Sequence, residues 1–66
     1  MKNYSICYLD AGGRTQNSEL LPFEDNQTAV DFARIGLLRG AIVEVWKDNG
    51  LIERLYSDPP RARVAT

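Results

Sequence analysis

The sequence predicts an α+β domain, a four-stranded antiparallel sheet with one helix on one face, and three observations carry that prediction. Two pairs of strand-like segments are each joined by a turn rich in Gly, Asp or Asn, which reads as two hairpins. The stretch between the pairs has helical rather than strand periodicity. At 66 residues the chain can bury one thin core and no second domain.

Asn3 to Leu9 forms the first strand, with Tyr4, Ile6 and Tyr8 on one side and Ser5, Cys7 and Leu9 on the other. Both sides are apolar enough to face the core, so the residues leave open which one does. Asp10-Ala11-Gly12-Gly13 supplies turn residues tolerant of positive φ. Arg14 to Leu21 returns as a polar edge strand that ends about Pro22, which lacks a donor for the ladder.

Asp25 reads as an N-cap for a helix from about Asn26 to Leu38, although Gly36 offers an earlier stop. Phe32, Gly36, Ala29, Ala33, Leu37 and Val30 share an arc of about 160°, which should face the sheet. Ile35 and Leu38 fall outside that arc as a secondary apolar surface. Arg39 suits the negative helix end and Gly40 the C′ position. Asn26-Gln27-Thr28 matches a glycosylation acceptor, but that acceptor matters only in a secretory pathway, and helix-start residues suffice to explain the triplet.

Ala41 to Lys47 is the third strand, and Leu51 to Tyr56 returns after Asp48-Asn49-Gly50. A three-residue loop with Gly50 in a bulge sets Glu44 opposite Arg54, Trp46 opposite Ile52 and Ile42 opposite Tyr56. Those pairs are worth roughly 0.2 to 1 kcal/mol each, and a two-residue Asn49-Gly50 loop would forfeit them. Val43, Val45, Leu51 and Leu55 would then face the helix. With the first strand central, the strand order is 2-1-3-4. Residues 1–56 form this single ββαββ domain, and residues 57–66, with Pro59-Pro60 and two arginines, read as a flexible tail.

Eight basic and nine acidic side chains leave a net charge of −1, so no basic excess recommends nucleic acid. The chain has no His, which removes the usual general base and the commonest metal ligand. Cys7 is the only cysteine, so neither an internal disulfide nor a zinc cluster is expected, and a reducing cytoplasm is the natural setting. Gly12-Gly13 leads into a polar strand rather than a phosphate-cradling helix. Neither signal peptide nor membrane span is expected. No catalytic residues, cofactor or metal follow from these residues.

What remains is the sheet face opposite the helix. Ile42, Trp46, Ile52 and Tyr56 around the pair Glu44 and Arg54 make an apolar and aromatic surface of the kind that marks interfaces. Trp46 would anchor it. A protein partner, or a second copy in a homodimer, is the expected occupant. Stacking of single-stranded nucleic acid on the aromatic residues is the alternative, with Arg54, Lys47, Arg61 and Arg63 as its only phosphate contacts.

The helix segment Ala29-Val30-Asp31-Phe32-Ala33-Arg34 and the hairpin Gly40-Ala41-Ile42-Val43-Glu44-Val45-Trp46 with Asn49-Gly50-Leu51-Ile52 resemble small bacterial ββαββ domains. That resemblance covers residues 3–56. It implies the fold and brings no assigned activity or site residues.

Overall fold

A single helix can cover only one side of a sheet, so the first question is which residues it covers. The computed structural model describes residues 1–57. Its elements are β1 (Lys2–Leu9), β2 (Thr15–Phe23), α1 (Asn26–Gly36), β3 (Ile42–Lys47) and β4 (Gly50–Tyr56). All strands pair antiparallel in the order β2-β1-β3-β4, as the sequence predicts.

Tyr4, Ile6 and Tyr8 are the residues of β1 that turn toward α1. With Val43, Val45 and Leu55 they meet Ala29, Val30 and Ala33 of the helix in one buried cluster. Small helix residues let the backbone of α1 approach the strands, and the tyrosine rings fill the remaining depth. Tyr4 is fully buried, and its hydroxyl avoids an unsatisfied polar group by donating to Asn26 Oδ1 at 2.7 Å. Phe23 extends this packing, with ring centroids 5.8 Å from Tyr4 and 5.3 Å from Phe32. Phe32, placed within the buried arc by periodicity, sits at its border and stays 37% exposed.

The first turn is built around Asp10, whose Oδ1 accepts the N–H groups of Gly12 and Arg14, both at 2.9 Å. Gly13 takes φ +87°, where a side chain would be strained. β2 then runs past Pro22 to Phe23 instead of stopping. As an edge strand it has one side with no ladder for the missing donor to break, and the Phe23 ring holds its end against the core.

Asp25 caps α1, accepting the Thr28 N–H at 2.9 Å and the Thr28 hydroxyl at 2.8 Å. These bonds to the ionised form hold its carboxyl below the usual pKa. The helix ends at Gly36 rather than Leu38. There the bonding tightens: Leu37, Leu38 and Arg39 donate to the carbonyls of Arg34, Ile35 and Gly36 at 3.2, 3.1 and 2.9 Å. Gly40 is not a left-handed cap, since Gly13 alone among the described glycines has positive φ. It lies against β1 instead, where an added Cβ would be 3.3 Å from the Leu9 carbonyl oxygen.

The second hairpin corrects the predicted register. Asp48 and Asn49 both take positive φ, 53° and 69°, and form a two-residue turn with Lys47 opposite Gly50. Glu44 still faces Arg54, and Ile42 still faces Tyr56, because a bulge in β4 restores the count. Trp46, however, faces Leu51. Ile52, which the sequence placed opposite Trp46, instead packs against the core cluster, and Leu51, expected to face the helix, is 42% exposed. The domain also extends one residue beyond its expected end: Ser57 donates through both N–H and hydroxyl to the Ala41 carbonyl, at 3.0 and 3.2 Å. The rest of the expected tail, residues 58–66, lies outside the described residues.

Two predictions follow from the helix–sheet seam. A Cβ on Gly36 would lie 2.6 Å from Tyr8 Cε1, and Tyr8 is itself buried. Gly36→Ala should therefore lower stability by about 1–3 kcal/mol in urea denaturation, although Ala is intrinsically better in a helix by about 1 kcal/mol. Asp25→Ala should lower the melting temperature at neutral pH. Because the folded carboxyl has the lower pKa, that difference should be present above the unfolded value and shrink as pH falls below about 4.

Candidate interaction surface

Alternation along the strands sends Ser5, Cys7 and Leu9 of β1 and Ile42, Glu44 and Trp46 of β3 to the face without the helix. Leu20 joins them from β2, opposite Ser5, while Leu51, Arg54 and Tyr56 join from β4. Of the six residues the sequence assigned to this surface, Ile42, Glu44, Trp46, Arg54 and Tyr56 lie on it and Ile52 does not. The bulge in β4 exchanges Ile52 for Leu51. Leu9 and Leu20 complete the face.

Glu44 is the organising residue. It is only 8% exposed on a face that no helix covers, and its neighbours are Cys7 on β1 and Arg54 on β4. A buried carboxylate is costly unless its oxygens are bonded, and here each oxygen has its own donor. Trp46 Nε1 donates to Oε1 at 2.9 Å, and Arg54 Nε donates to Oε2 at 2.7 Å. The Trp46 bond runs between residues two apart on the same strand, so it fixes the indole against the sheet. Among the described residues, no buried side-chain nitrogen or oxygen lacks a partner.

Arg54 keeps 45% of its side chain exposed, against 10% for Glu44. Outwardly the pair therefore presents a cation. The Tyr56 hydroxyl, followed by the Glu44 carboxylate, raises the Arg54 pKa further, so the guanidinium stays charged throughout the physiological range. Tyr56 and Leu51, 40% and 42% exposed, stand on the outer strand around it.

This surface is not flat. One hollow of about 410 Å³ lies over β1 and the β3–β4 turn, lined by Asn3, Ser5, Cys7, Leu20, Trp46, Asp48 and Asn49. A second, of about 240 Å³, lies toward the other end, lined by Leu9, Ile42, Glu44, Arg54 and Tyr56. The Glu44 cluster stands between them, with Trp46 bordering one hollow and Arg54 the other.

Chemistry on this face is limited by its own bonding. Cys7 has its pKa raised by burial and then by the nearby Glu44 charge, the reverse of what a thiolate nucleophile needs. Glu44 spends both oxygens on structure. No group of three or more Cys, Asp or Glu among the described residues is placed to hold a metal ion. For nucleic acid, Arg54 is the one predicted cation among the described residues that lies on this face, since Lys47 points to the helix side, its Nζ 5.9 Å from the Tyr4 ring centroid. Arg61 and Arg63 lie outside the described residues.

The secondary apolar surface is present on the opposite side of the molecule, with Ile35 67% and Leu38 88% exposed. No helix among the described residues is long and apolar enough to cross a membrane. No protein-family model matches the chain, and neither does any curated protein or solved structure.

Removal of the organising carboxylate should be felt in both fold and face. Glu44→Ala should cost about 2 kcal/mol in urea denaturation, as expected for bonds to a charged acceptor. The released indole should shift its fluorescence to the red in the still-folded protein. Unchanged emission would mean that Glu44 does not hold Trp46.

Proposed function

We propose that this chain is a small protein-interaction module without catalytic chemistry, and that the sheet face opposite α1 binds another protein. The observation that carries the reading is the Trp46–Glu44–Arg54 cluster, an aromatic anchor and a cation held in place by one buried carboxylate. Trp, Tyr and Arg are the side chains that dominate binding energies at protein interfaces. Anchors already fixed before binding lose little rotamer freedom on contact, so more of the contact energy appears as affinity.

The chemistry of the partner follows from the face. Partner side chains would enter the two hollows beside the cluster, whose linings mix polar and apolar groups, and a carboxylate would meet the exposed edge of Arg54. A second copy packed sheet to sheet would bring another Arg54 cation into the same contact. That favours a different, acidic partner over a sheet-face homodimer. A single cation among the described residues of the face supports a protein occupant over single-stranded nucleic acid, which needs a track of positive charge.

Affinity capture with the wild-type domain, Trp46→Ala, Arg54→Gln, which keeps an N–H donor for Glu44, and Ile35→Ser as baits tests the reading. A partner retained by the wild type and by Ile35→Ser should lose at least about tenfold in affinity to each sheet-face variant, with the folded circular dichroism spectrum kept. Partners held equally by all four baits would contradict it. Steep loss of binding with added salt, together with nuclease sensitivity, would point to nucleic acid instead.

A further inference from the structure

The hollow of about 410 Å³ beside Trp46 has a lining suited to one class of small molecule. Its volume lies within the roughly 300–1,000 Å³ of small-molecule sites. Two parts of the fold build it. β1 contributes Asn3 and Ser5, and the turn between β3 and β4 contributes Asp48 and Asn49. Asn3, Asp48 and Asn49 are exposed, so their polar groups meet water rather than the core. The positive φ values of Asp48 and Asn49 belong to the turn itself, which fixes where both side chains leave the backbone. The apolar share of the lining is Leu20 and the Trp46 indole, the latter already held by its 2.9 Å bond to Glu44. Cys7 also lines the hollow and stays a neutral thiol, because burial and then the Glu44 charge raise its pKa.

Charge and shape narrow the ligand. Among the described residues the lining holds one carboxylate and no cation, which disfavours phosphates and other anions. It holds one aromatic ring, so a quaternary ammonium or a flat heterocycle meets no second ring to close on it. What the lining offers is two amides and a hydroxyl, which both donate and accept, and a carboxylate, which accepts only. A pyranose ring matches that set with hydroxyls around its rim. The C–H groups across one of its sides carry the positive polarity that an indole face attracts. We infer that this hollow binds a neutral sugar ring, its C–H side on Trp46 and Leu20 and its hydroxyls shared between Asn3 and Ser5 on one flank and Asp48 and Asn49 on the other. The bond to Asp48 is the strongest of these, because its acceptor is charged. The inference goes beyond the protein-partner reading: a sugar and a partner side chain exclude each other in this hollow, and the sugar needs no partner to bind.

Titration of the isolated protein, followed through its amide and indole N–H resonances, tests this. The probes are the methyl glycosides of glucose, galactose, mannose and N-acetylglucosamine, with maltose and cellobiose as sugar rings within a chain. At least one should give saturable shifts at Ser5, Trp46 and Asn49, with a dissociation constant on the order of 1–10 mM, as suits an open site with few contacts. Asp48→Gly and Asn49→Gly keep the turn, because Gly accepts positive φ. They should raise that constant at least about tenfold and about threefold, respectively. Trp46→Ala, with its fold checked by circular dichroism, should abolish saturation, whereas Ile35→Ser on the opposite side should leave the constant unchanged. No saturable shift with any of these sugars at about 100 mM would overturn the inference. So would binding that survives Asp48→Gly and Trp46→Ala, or a tighter response to tetramethylammonium or adenosine than to any sugar. No partner is present in the titration, so its failure is distinct from failure of the protein-binding reading.

Discussion

Both oxygens of one buried carboxylate are committed to the face of the sheet that no helix covers, and much of the molecule is arranged around that fact. With a single helix among the described residues, one side of the sheet can be placed in a core. The other side must remain ordered in water on its own resources. Glu44 does this by joining β3 to β4 through Arg54 and by pinning Trp46 along β3. Removing either donor would leave part of a buried charge without a partner, which costs more than the bond itself contributes. The result is an aromatic side chain and a cation in fixed positions, the arrangement from which the binding role is argued.

The covered face obeys a different constraint, that of distance. Ala29 and Ala33 let α1 sit close to the strands, and the tyrosines of β1 reach under it, Tyr4 to Asn26 at the helix start and Tyr8 to Gly36 at its end. Close approach at Gly36 coincides with the tightening of the last turn, and this turns Leu38 out to solvent. The second apolar surface is thus a product of how the helix terminates.

Much of this was legible in the sequence, and the misses have physical causes. The strand order, the Asp25 cap and the pairs Glu44–Arg54 and Ile42–Tyr56 follow from patterning, turn residues and cross-strand chemistry. Leu51 and Ile52 do not. A two-residue turn with a bulge inside β4 and a three-residue loop with a bulge at Gly50 keep the same pairs at the far end of the hairpin, so those pairs cannot separate the two. The adjacent apolar residues Leu51-Ile52 were the available signal, since strict alternation sends one to each side and a bulge decides which. Equally, β1 has apolar residues on both sides. Tyr4, Ile6 and Tyr8 face the core because their hydroxyl and ring contacts come from α1 and β2, distant in sequence.

Pre-organisation of the sheet face is the claim on which the functional account rests, and solvent exchange of the Trp46 indole N–H in the dilute, partner-free protein measures it most directly. A hydrogen bond to Glu44 predicts one sharp indole resonance that exchanges well below the rate of a free tryptophan side chain. Exchange at the free rate, with averaged side-chain couplings, would mean that Trp46 is mobile before binding and that the face is assembled only by its partner.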